Sequence, residues 1–142
     1  MPVVHTNAVS KRDYEALARF RQALRRFATF SEQAARAAGL TPQQHQVLLA
    51  IKGAPGRETL SVGEIATALM IRPHSAVELI DRLAQLGLVR RRDDPHDHRR
   101  VQVALTAAAE ATLEELSAAH VQELRRVRPA LTDLLHRFES PE

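Results

Sequence analysis

The chain has 142 residues, of which 44% are hydrophobic and 26% are charged, a balance that is ordinary for one soluble domain or for one domain with an extension. The formal net charge of +3 suits an anionic partner such as DNA or a membrane surface, although solubility alone would also account for it. The absence of cysteine excludes disulfides, thiolate metal sites and thiol redox chemistry, and an aromatic content of only 4% favours a helical core of aliphatic side chains.

The apolar pattern predicts neither a membrane span nor a targeting segment. No apolar run reaches the roughly 20 residues that a transmembrane helix needs. We expect residues 1–10 to form a loose arm, and they lack the basic region and apolar stretch of a signal peptide. We therefore expect a cytoplasmic protein.

A long helix is predicted near the start of the chain. Within residues 11–38, apolar side chains recur at helical spacing, as at Leu17, Leu24 and Phe27. Gly39 follows at the position where a left-handed residue commonly ends a helix.

Three shorter helices are predicted in the middle of the chain. Thr41-Pro42-Gln43-Gln44 and Ser61-Val62-Gly63-Glu64 both have the pattern of a capping box, which begins a helix. A third helix begins at Pro73 and ends at Gly87. Its apolar stripe is expected to face the core through Val77, Ile80, Leu83 and Leu86. The second and third helices, joined by a tight turn, have the order of a helix-turn-helix.

An arginine-rich β-hairpin is predicted next. Residues 88–93 and 101–105 flank the turn sequence Asp94-Pro95-His96-Asp97, and the second run alternates apolar and polar side chains with period two. Residues 88–100 carry five arginines and three aspartates. Exposed cross-strand ion pairs are the plainer interpretation, but they contribute only tenths of a kcal/mol, so they account poorly for an arginine at the tip of the turn.

Two further helices are predicted after the hairpin. Thr106 is expected to cap the first, and Pro129 is expected to begin the second. Their apolar stripes are Leu113, Leu116, His120, Leu124 and Val127, and then Leu131, Leu134, Leu135 and Phe138. The central part of the chain is too small to cover these stripes together with that of the first helix, so we expect a homodimer.

The hairpin carries a family resemblance. Gly87-Leu88-Val89-Arg90-Arg91, then the stretch from Asp94 to Arg100, then Val103-Ala104-Leu105-Thr106, resemble the MarR (multiple antibiotic resistance regulator) family. The order of elements over about residues 11–140 extends the resemblance to nearly the whole chain. It implies a mainly α fold with a winged helix-turn-helix and with N- and C-terminal dimerisation helices.

The resemblance divides the chain into a dimerisation region and a DNA-binding lobe. Residues 11–38 and 106–140 would form the helical dimerisation region, and residues 41–105 would form the lobe. The implied function is a DNA-binding transcriptional regulator, a repressor released by a small effector, that reads a pseudo-palindromic operator on double-stranded DNA as a homodimer. The alternative is a winged-helix protein-interaction module without sequence-specific DNA binding, which an acidic wing would have favoured.

The resemblance also assigns roles within the lobe. The helix from Pro73 to Leu86 would lie in the major groove, Arg99 would enter the minor groove, and Asp97 would hold Arg99 in place. Many members carry an arginine where this chain has His98, so the second wing contact is left open.

The residue chemistry agrees with DNA contact but leaves alternatives. Helix N–H groups and the helix dipole favour phosphate, although polar residues at a helix start are also ordinary caps. Ser61 is either a phosphate contact or only a cap, and Glu78 is expected to pair with Arg82. The residues predicted to contact DNA are Ser61, Arg72, His74, Ser75, Arg82, Arg90, Arg92, Asp97, Arg99 and Arg100.

An effector site is implied by the resemblance as well, because many members respond to small aromatic acids. Such a site would lie between the dimerisation helices and the lobe and would use Arg21, Arg26, Phe27, Phe30 and His45. The same residues would equally form a plain helix interface. The histidines lack metal-ligand spacing and no catalytic motif is present, so we expect no metal, no cofactor and no enzymatic activity.

Overall fold

The computed structural model describes residues 8–139. The first seven residues of the predicted arm, and residue 140 of the predicted C-terminal region, lie outside the described residues. The described backbone forms two compact units. Residues 31–119 form one, called here the lobe unit, and residues 8–30 together with 120–139 form the other, called the helical unit.

The described chain is mostly helical and has one small antiparallel sheet of three strands, which confirms the mainly α winged-helix class. The helices are α1 (Lys11–Ala37), α2 (Pro42–Lys52), α3 (Val62–Leu69), α4 (Pro73–Gln85) and α5 (Ala107–Arg137). The strands are β1 (Thr59–Ser61), β2 (Val89–Asp93) and β3 (Val101–Leu105). Over residues 8–139, no helix combines the length and the apolar character that crossing a membrane requires.

Both predicted capping boxes are present. The Thr41 hydroxyl accepts from the Gln44 backbone N–H at 3.2 Å, and the Gln44 side chain accepts from the Thr41 backbone N–H at 3.0 Å. Ser61 and Glu64 form the same reciprocal pair at 3.1 and 3.0 Å. Each pair satisfies two N–H groups at the start of a helix, so α2 and α3 begin where the local sequence requires.

Left-handed residues end α1 and α4, as predicted. Gly39 has φ +81° and Gly87 has φ +74°, a region that glycine enters without steric cost. Met70, which closes the turn between α3 and α4, also has a positive φ of 56° and is 93% exposed. The tight turn of the helix-turn-helix therefore depends on a non-glycine residue in a conformation that is uncommon for it.

The sheet has the order β1-β3-β2, with both neighbours antiparallel to β3. The hairpin of β2 and β3 is confirmed, whereas β1 was missed because three residues are too few to show a period. The expectation that β3 alternates between buried and exposed positions is wrong, because Gln102 and Ala104 are buried as well as Val103. As the central strand, β3 is flanked by a strand on each side.

The predicted break at Pro129 is also wrong. Helix α5 runs from Ala107 to Arg137 with Pro129 inside it. A proline within a helix costs about 3 kcal/mol because it lacks the N–H of one helical hydrogen bond. Good helix formers on both sides of Pro129 continue the helix through that single defect. The cap at the start of α5 is confirmed, since Thr106 Oγ1 accepts from the Ala109 N–H at 3.2 Å.

Aliphatic side chains from α2, α3, α4 and β3 form the core of the lobe unit. The largest fully buried ones are Leu48, Ile51, Ile65, Ile80, Leu83, Val47 and Val103. The inward stripe predicted for α4 is confirmed at Ile80 and Leu83 but is wrong at its ends, because Val77 is 41% and Leu86 is 56% exposed, while Ala76 is fully buried. The small Ala76 side chain, four residues before Ile80, allows α4 to approach the rest of the core closely.

The helical unit is joined by polar and aromatic contacts between its two segments. Arg137 Nε donates to Asp13 at 2.9 Å, and a second guanidinium nitrogen donates to Ser10 at 3.3 Å. His120 contacts the rings of Phe27 and Phe30 edge to face, with centroids 5.7 and 5.3 Å away. Large apolar side chains remain exposed on this unit, among them Tyr14, Leu17, Leu24, Val121, Leu124 and Leu135.

Candidate nucleic-acid interface

The wing consists of β2, the turn at residues 94–100 and β3. Strand pairing runs from Val89 opposite Leu105 to Asp93 opposite Val101. The turn is closed by two backbone hydrogen bonds, from Asp94 N–H to the Arg100 carbonyl at 3.2 Å and from Arg100 N–H to the Asp97 carbonyl at 3.0 Å. The wing tip therefore has a defined backbone on which its side chains are placed.

Asp97 and Arg99 form the contact that the family resemblance implies at the tip. One carboxylate oxygen of Asp97 accepts from the Arg99 backbone N–H at 3.0 Å and from Arg99 Nε at 3.2 Å. The Arg99 side chain is nevertheless 92% exposed. Asp97 orients the guanidinium from one edge and leaves its terminal nitrogens free to meet an anionic partner.

The three consecutive arginines of β2 divide between two faces of the sheet. Arg91 donates to Asp81 of α4, and this ion pair ties the wing strand to the helix. Arg90 and Arg92 lie on the opposite face, since successive side chains of a strand alternate, and both are exposed. Arg90 and Arg92 are therefore the two members of the run that remain available to phosphate.

The start of α4 presents polar residues to solvent. Arg72 is the N-cap and makes no side-chain cap hydrogen bond, and the first turn contains no acidic residue. Arg72 and His74 are exposed, and Ser75 is half-buried. Free N–H groups, the helix dipole and these side chains together make this end attractive to a phosphate or a base edge.

Glu78 and Arg82 lie one turn further along α4 and do not pair as expected. Both are exposed, and no ion pair between described residues joins them. The acid of α4 that does pair is Asp81, with Arg91. The prediction failed because helical spacing alone does not decide which neighbour an exposed acid contacts when a strand passes beside the helix.

Ser61 lies within a cluster of charged side chains at the start of α3. It is only 5% exposed, and its hydroxyl oxygen contacts both the Glu64 N–H and, at 3.2 Å, a guanidinium nitrogen of Arg100. Arg100 also lies 3.6 Å from the Glu64 carboxylate. These contacts favour a capping role for Ser61 over a phosphate contact. They also hold the guanidinium of Arg100 against the start of α3.

Glu64 is the acidic centre of this cluster. Arg57 donates to both of its carboxylate oxygens, one bond being 2.9 Å, and this lowers the pKa of Glu64 to about 2, with the Ser61 backbone N–H adding to the effect. Arg57 was not singled out from the sequence, because it lies in a loop with no motif around it. Its bidentate geometry on Glu64 is visible only in the folded lobe.

Gln102 is a second residue that sequence reasoning missed. The period-two pattern of β3 predicts an outward-facing side chain at this position, but Gln102 is only 8% exposed and contacts three side chains. A buried glutamine is uncommon, and its carboxamide needs partners inside the protein. The one sequence feature that could have indicated this role is a polar residue in β3, which the structure shows to be the central strand of the sheet.

The five predicted effector residues fall in both units. Phe27 and Phe30 are half-buried in the helical unit and share the ring of His120, and Arg21 and Arg26 are exposed in the same unit. His45 belongs to the lobe unit, where it is 4% exposed on α2. Across residues 8–139, no group of three or more histidine, aspartate and glutamate side chains is arranged to hold a metal ion.

Comparison with known proteins finds one family. The model of the MarR family matches residues 38–100, which include α2, β1, α3, α4, β2 and the wing turn. The HTH-type transcriptional repressor MdtR of Bacillus subtilis is 30% identical over 95 residues, or 67% of this chain and 59% of MdtR. The transcriptional regulator HosA of Escherichia coli is 39% identical over 74 residues, or 52% of this chain and 53% of HosA.

The fold has close counterparts among solved structures. AbsC, a MarR family transcriptional regulator from Streptomyces coelicolor, superposes with a TM-score of 0.71 over 94% of this chain and 94% of AbsC. Its sequence identity is 22%, so this similarity concerns the fold alone. The matched region spans between half and three fifths of the length of the two curated relatives.

Proposed function

This chain belongs to the MarR family, and on that premise we propose that it is a homodimeric DNA-binding transcriptional regulator, a repressor that reads a pseudo-palindromic operator. The observation that carries the proposal is the guanidinium of Arg99, which is 92% exposed and is oriented by Asp97 at the tip of the wing. An exposed pair of this kind contributes little to stability, so its geometry is better accounted for by an external anionic partner.

Helix α4 and the wing supply complementary contacts in this proposal. The start of α4 enters the major groove, where Arg72, His74 and Ser75 reach base edges or phosphate. Arg99 enters the adjacent minor groove, whose negative potential attracts arginine. Arg90 and Arg92 contact phosphate, which positions the lobe without reading the sequence.

The exposed apolar side chains of the helical unit support the homodimer. Leu17, Leu24 and Leu124 are each more than 40% exposed in the single chain. Apolar groups at helical spacing along two long helices are usually covered by a partner, and a two-fold pair is the most common solution. Two lobes related by such an axis explain why the operator would be pseudo-palindromic, with half-sites about one helical turn apart.

A small aromatic acid is the effector that this proposal includes. Phe27 and Phe30 provide a surface for an aromatic ring, and Arg21 or Arg26 provides a cation for a carboxylate. His45 would not contact this effector, because it is buried within the lobe unit. The protein would bind its operator and this effector in the cytoplasm, and it would catalyse no reaction.

Salt-titrated binding separates this function from a protein-interaction module. Affinity for a random duplex should fall linearly on a log–log plot against salt, with a slope of about −0.9 for each phosphate contacted. Selection from a random duplex pool should then enrich an inverted repeat. A chain that serves only to bind another protein would show neither the slope nor the enrichment, and either absence would count against the proposal.

A further inference from the structure

The carboxamide of Gln102 lies between the wing turn and the start of α3. Its oxygen accepts from the Thr59 hydroxyl at 3.0 Å and from a guanidinium nitrogen of Arg57 at 3.3 Å. Its nitrogen donates to Asp94 Oδ2 at 3.2 Å. Three bonds therefore meet on one side chain that is only 8% exposed.

Each end of this link continues into an element of the DNA-facing surface. Asp94 is the first residue of the wing turn, and its other carboxylate oxygen accepts from the His96 N–H at 2.8 Å. On the opposite side, Arg57 donates to Glu64 in the first turn of α3. A continuous set of hydrogen bonds thus joins α3 to the turn that carries Arg99, through residues that the DNA contacts themselves do not use.

The partners also determine which way the carboxamide points. The Arg57 guanidinium can only donate, so the oxygen of Gln102 must face it, and the Asp94 carboxylate can only accept, so the nitrogen must face it, whereas the Thr59 hydroxyl suits either orientation. Reversing the amide would set like against like at Arg57 and at Asp94. Among the described residues, no buried side-chain nitrogen or oxygen lacks a hydrogen-bond partner. The position therefore requires a carboxamide, and an apolar side chain of the same size would leave Asp94 and Arg57 without this link.

We propose that Gln102 is a positioning residue for DNA binding, which holds the wing turn at a set place relative to α3 through Asp94 and Arg57. It touches no DNA itself and acts by presenting Arg99 to the minor groove. The inference rests on the proposed function for its consequence, but the positioning of the turn is measurable in the free protein.

Amide hydrogen exchange in the free protein tests the positioning first. Gln102→Glu keeps the shape of the side chain but sets a carboxylate against that of Asp94, so the turn should loosen. Exchange of the His96 and Arg99 amides should become faster by about tenfold, the size expected when one hydrogen bond to a charged group is lost. The Leu88 amide, which donates to Leu83 at the start of the hairpin, is the internal control and should not change.

Operator binding tests the consequence by a double-mutant cycle. Arg99→Ala should weaken operator binding by about tenfold or more in the wild-type background, but by less than about twofold in the Gln102→Glu background. Arg72→Ala, on α4, should cost the same in both backgrounds. Gln122→Glu adds the same charge at an exposed position of the helical unit and should leave the Arg99→Ala effect intact.

Exchanging the carboxamide of Gln102 with the carboxylate of Asp94 should restore the hydrogen bond between the two positions. In the Gln102→Glu, Asp94→Asn double variant, the new amide donates to the new carboxylate, which still accepts from Arg57 and Thr59. The slow hydrogen exchange of the His96 and Arg99 amides should return, and so should the full effect of Arg99→Ala on operator binding. If Gln102→Glu fails to fold, Gln102→Met removes the bond to Asp94 without adding a charge, and the cycle is run on that variant.

Three results would overturn the inference: unchanged exchange of the turn amides, an Arg99→Ala effect that is equal in all backgrounds, or a double variant that behaves like Gln102→Glu. A wild-type protein that binds no duplex at all would refute the proposed function and, with it, the consequence for DNA. The exchange data would still decide whether Gln102 positions the turn.

Discussion

Asp81 on α4 accepts a hydrogen bond from Arg91 on β2, so one arginine of the wing is committed to the helix that would enter the major groove. This pair makes the wing strand and α4 parts of one surface. It also means that the three consecutive arginines of β2 are not equivalent in what they can contact.

The salt dependence of DNA binding should therefore distinguish Arg90 from Arg91. Arg90→Ala removes a side chain available to phosphate and should make the log–log slope shallower by about one. Arg91→Ala removes a side chain already paired with Asp81 and should leave the slope unchanged. Fluorescence anisotropy with a random duplex over a salt series measures both, and equal slopes for the two variants would contradict the division of faces.

Arg99→Ala should weaken operator binding by about 1–3 kcal/mol, because it removes the side chain proposed to lie in the minor groove. The fold should be unaffected, since this side chain is 92% exposed. Titration against the selected operator measures the affinity, and thermal unfolding measures stability. Arg126→Ala removes the same charge at an exposed position of the helical unit and is the matched control. Equal affinities for Arg99→Ala and wild type would show that the wing tip does not contact DNA.

Stability should fall in acid in a way that Glu64 controls. The pKa of Glu64 is lowered from 4.5 to about 2 in the folded protein, chiefly by hydrogen bonds from Arg57. The unfolded chain therefore binds the proton more readily, so the contribution is complete above about pH 4.5 and is lost as the pH falls towards 2.

Urea unfolding between pH 7 and pH 3 checks this dependence. Glu64→Gln should be less stable than wild type near neutral pH, and the difference should narrow on acidification. Glu115→Gln, at an exposed position of α5, is the control and should follow the wild-type curve. A difference between Glu64→Gln and wild type that is constant over this range would mean that the Arg57 contact does not hold the carboxylate charged.

The proposed dimer should depend on the exposed leucines of the helical unit and not on the buried leucines of the lobe unit. Leu124, which is 44% exposed, should be covered by the partner, so Leu124→Glu should yield a folded monomer in sedimentation. Leu113 is 3% exposed in the lobe core, so Leu113→Ala should instead lower the free energy of unfolding by about 2–5 kcal/mol without dissociating the dimer. An unchanged mass for Leu124→Glu would place the interface elsewhere.

Local chemistry was sufficient to predict most of the helix ends and the wing. The capping boxes at Thr41 and Ser61, and the left-handed Gly39 and Gly87, act within a few residues of themselves, so reading the chain in order recovers them. The Asp97–Arg99 contact was implied by the family resemblance and not by local chemistry, although it too joins residues only two apart in a tight turn. The family resemblance of the wing rests on residues of this kind.

Tertiary structure decided everything that depends on partners distant in sequence. Gln102 is buried because β1 pairs with β3 on the side away from β2, and Ser61, which pairs with Gln102, lies 41 positions earlier in the chain. For the same reason, Ala76 and not Val77 is the inward residue of α4. The acid of α4 that forms an ion pair likewise does so with Arg91 of the neighbouring strand and not with Arg82 of its own helix. Caps and turns are determined by hydrogen bonds that a short segment makes with itself, whereas burial and ion pairing are determined by which surfaces the folded chain brings together.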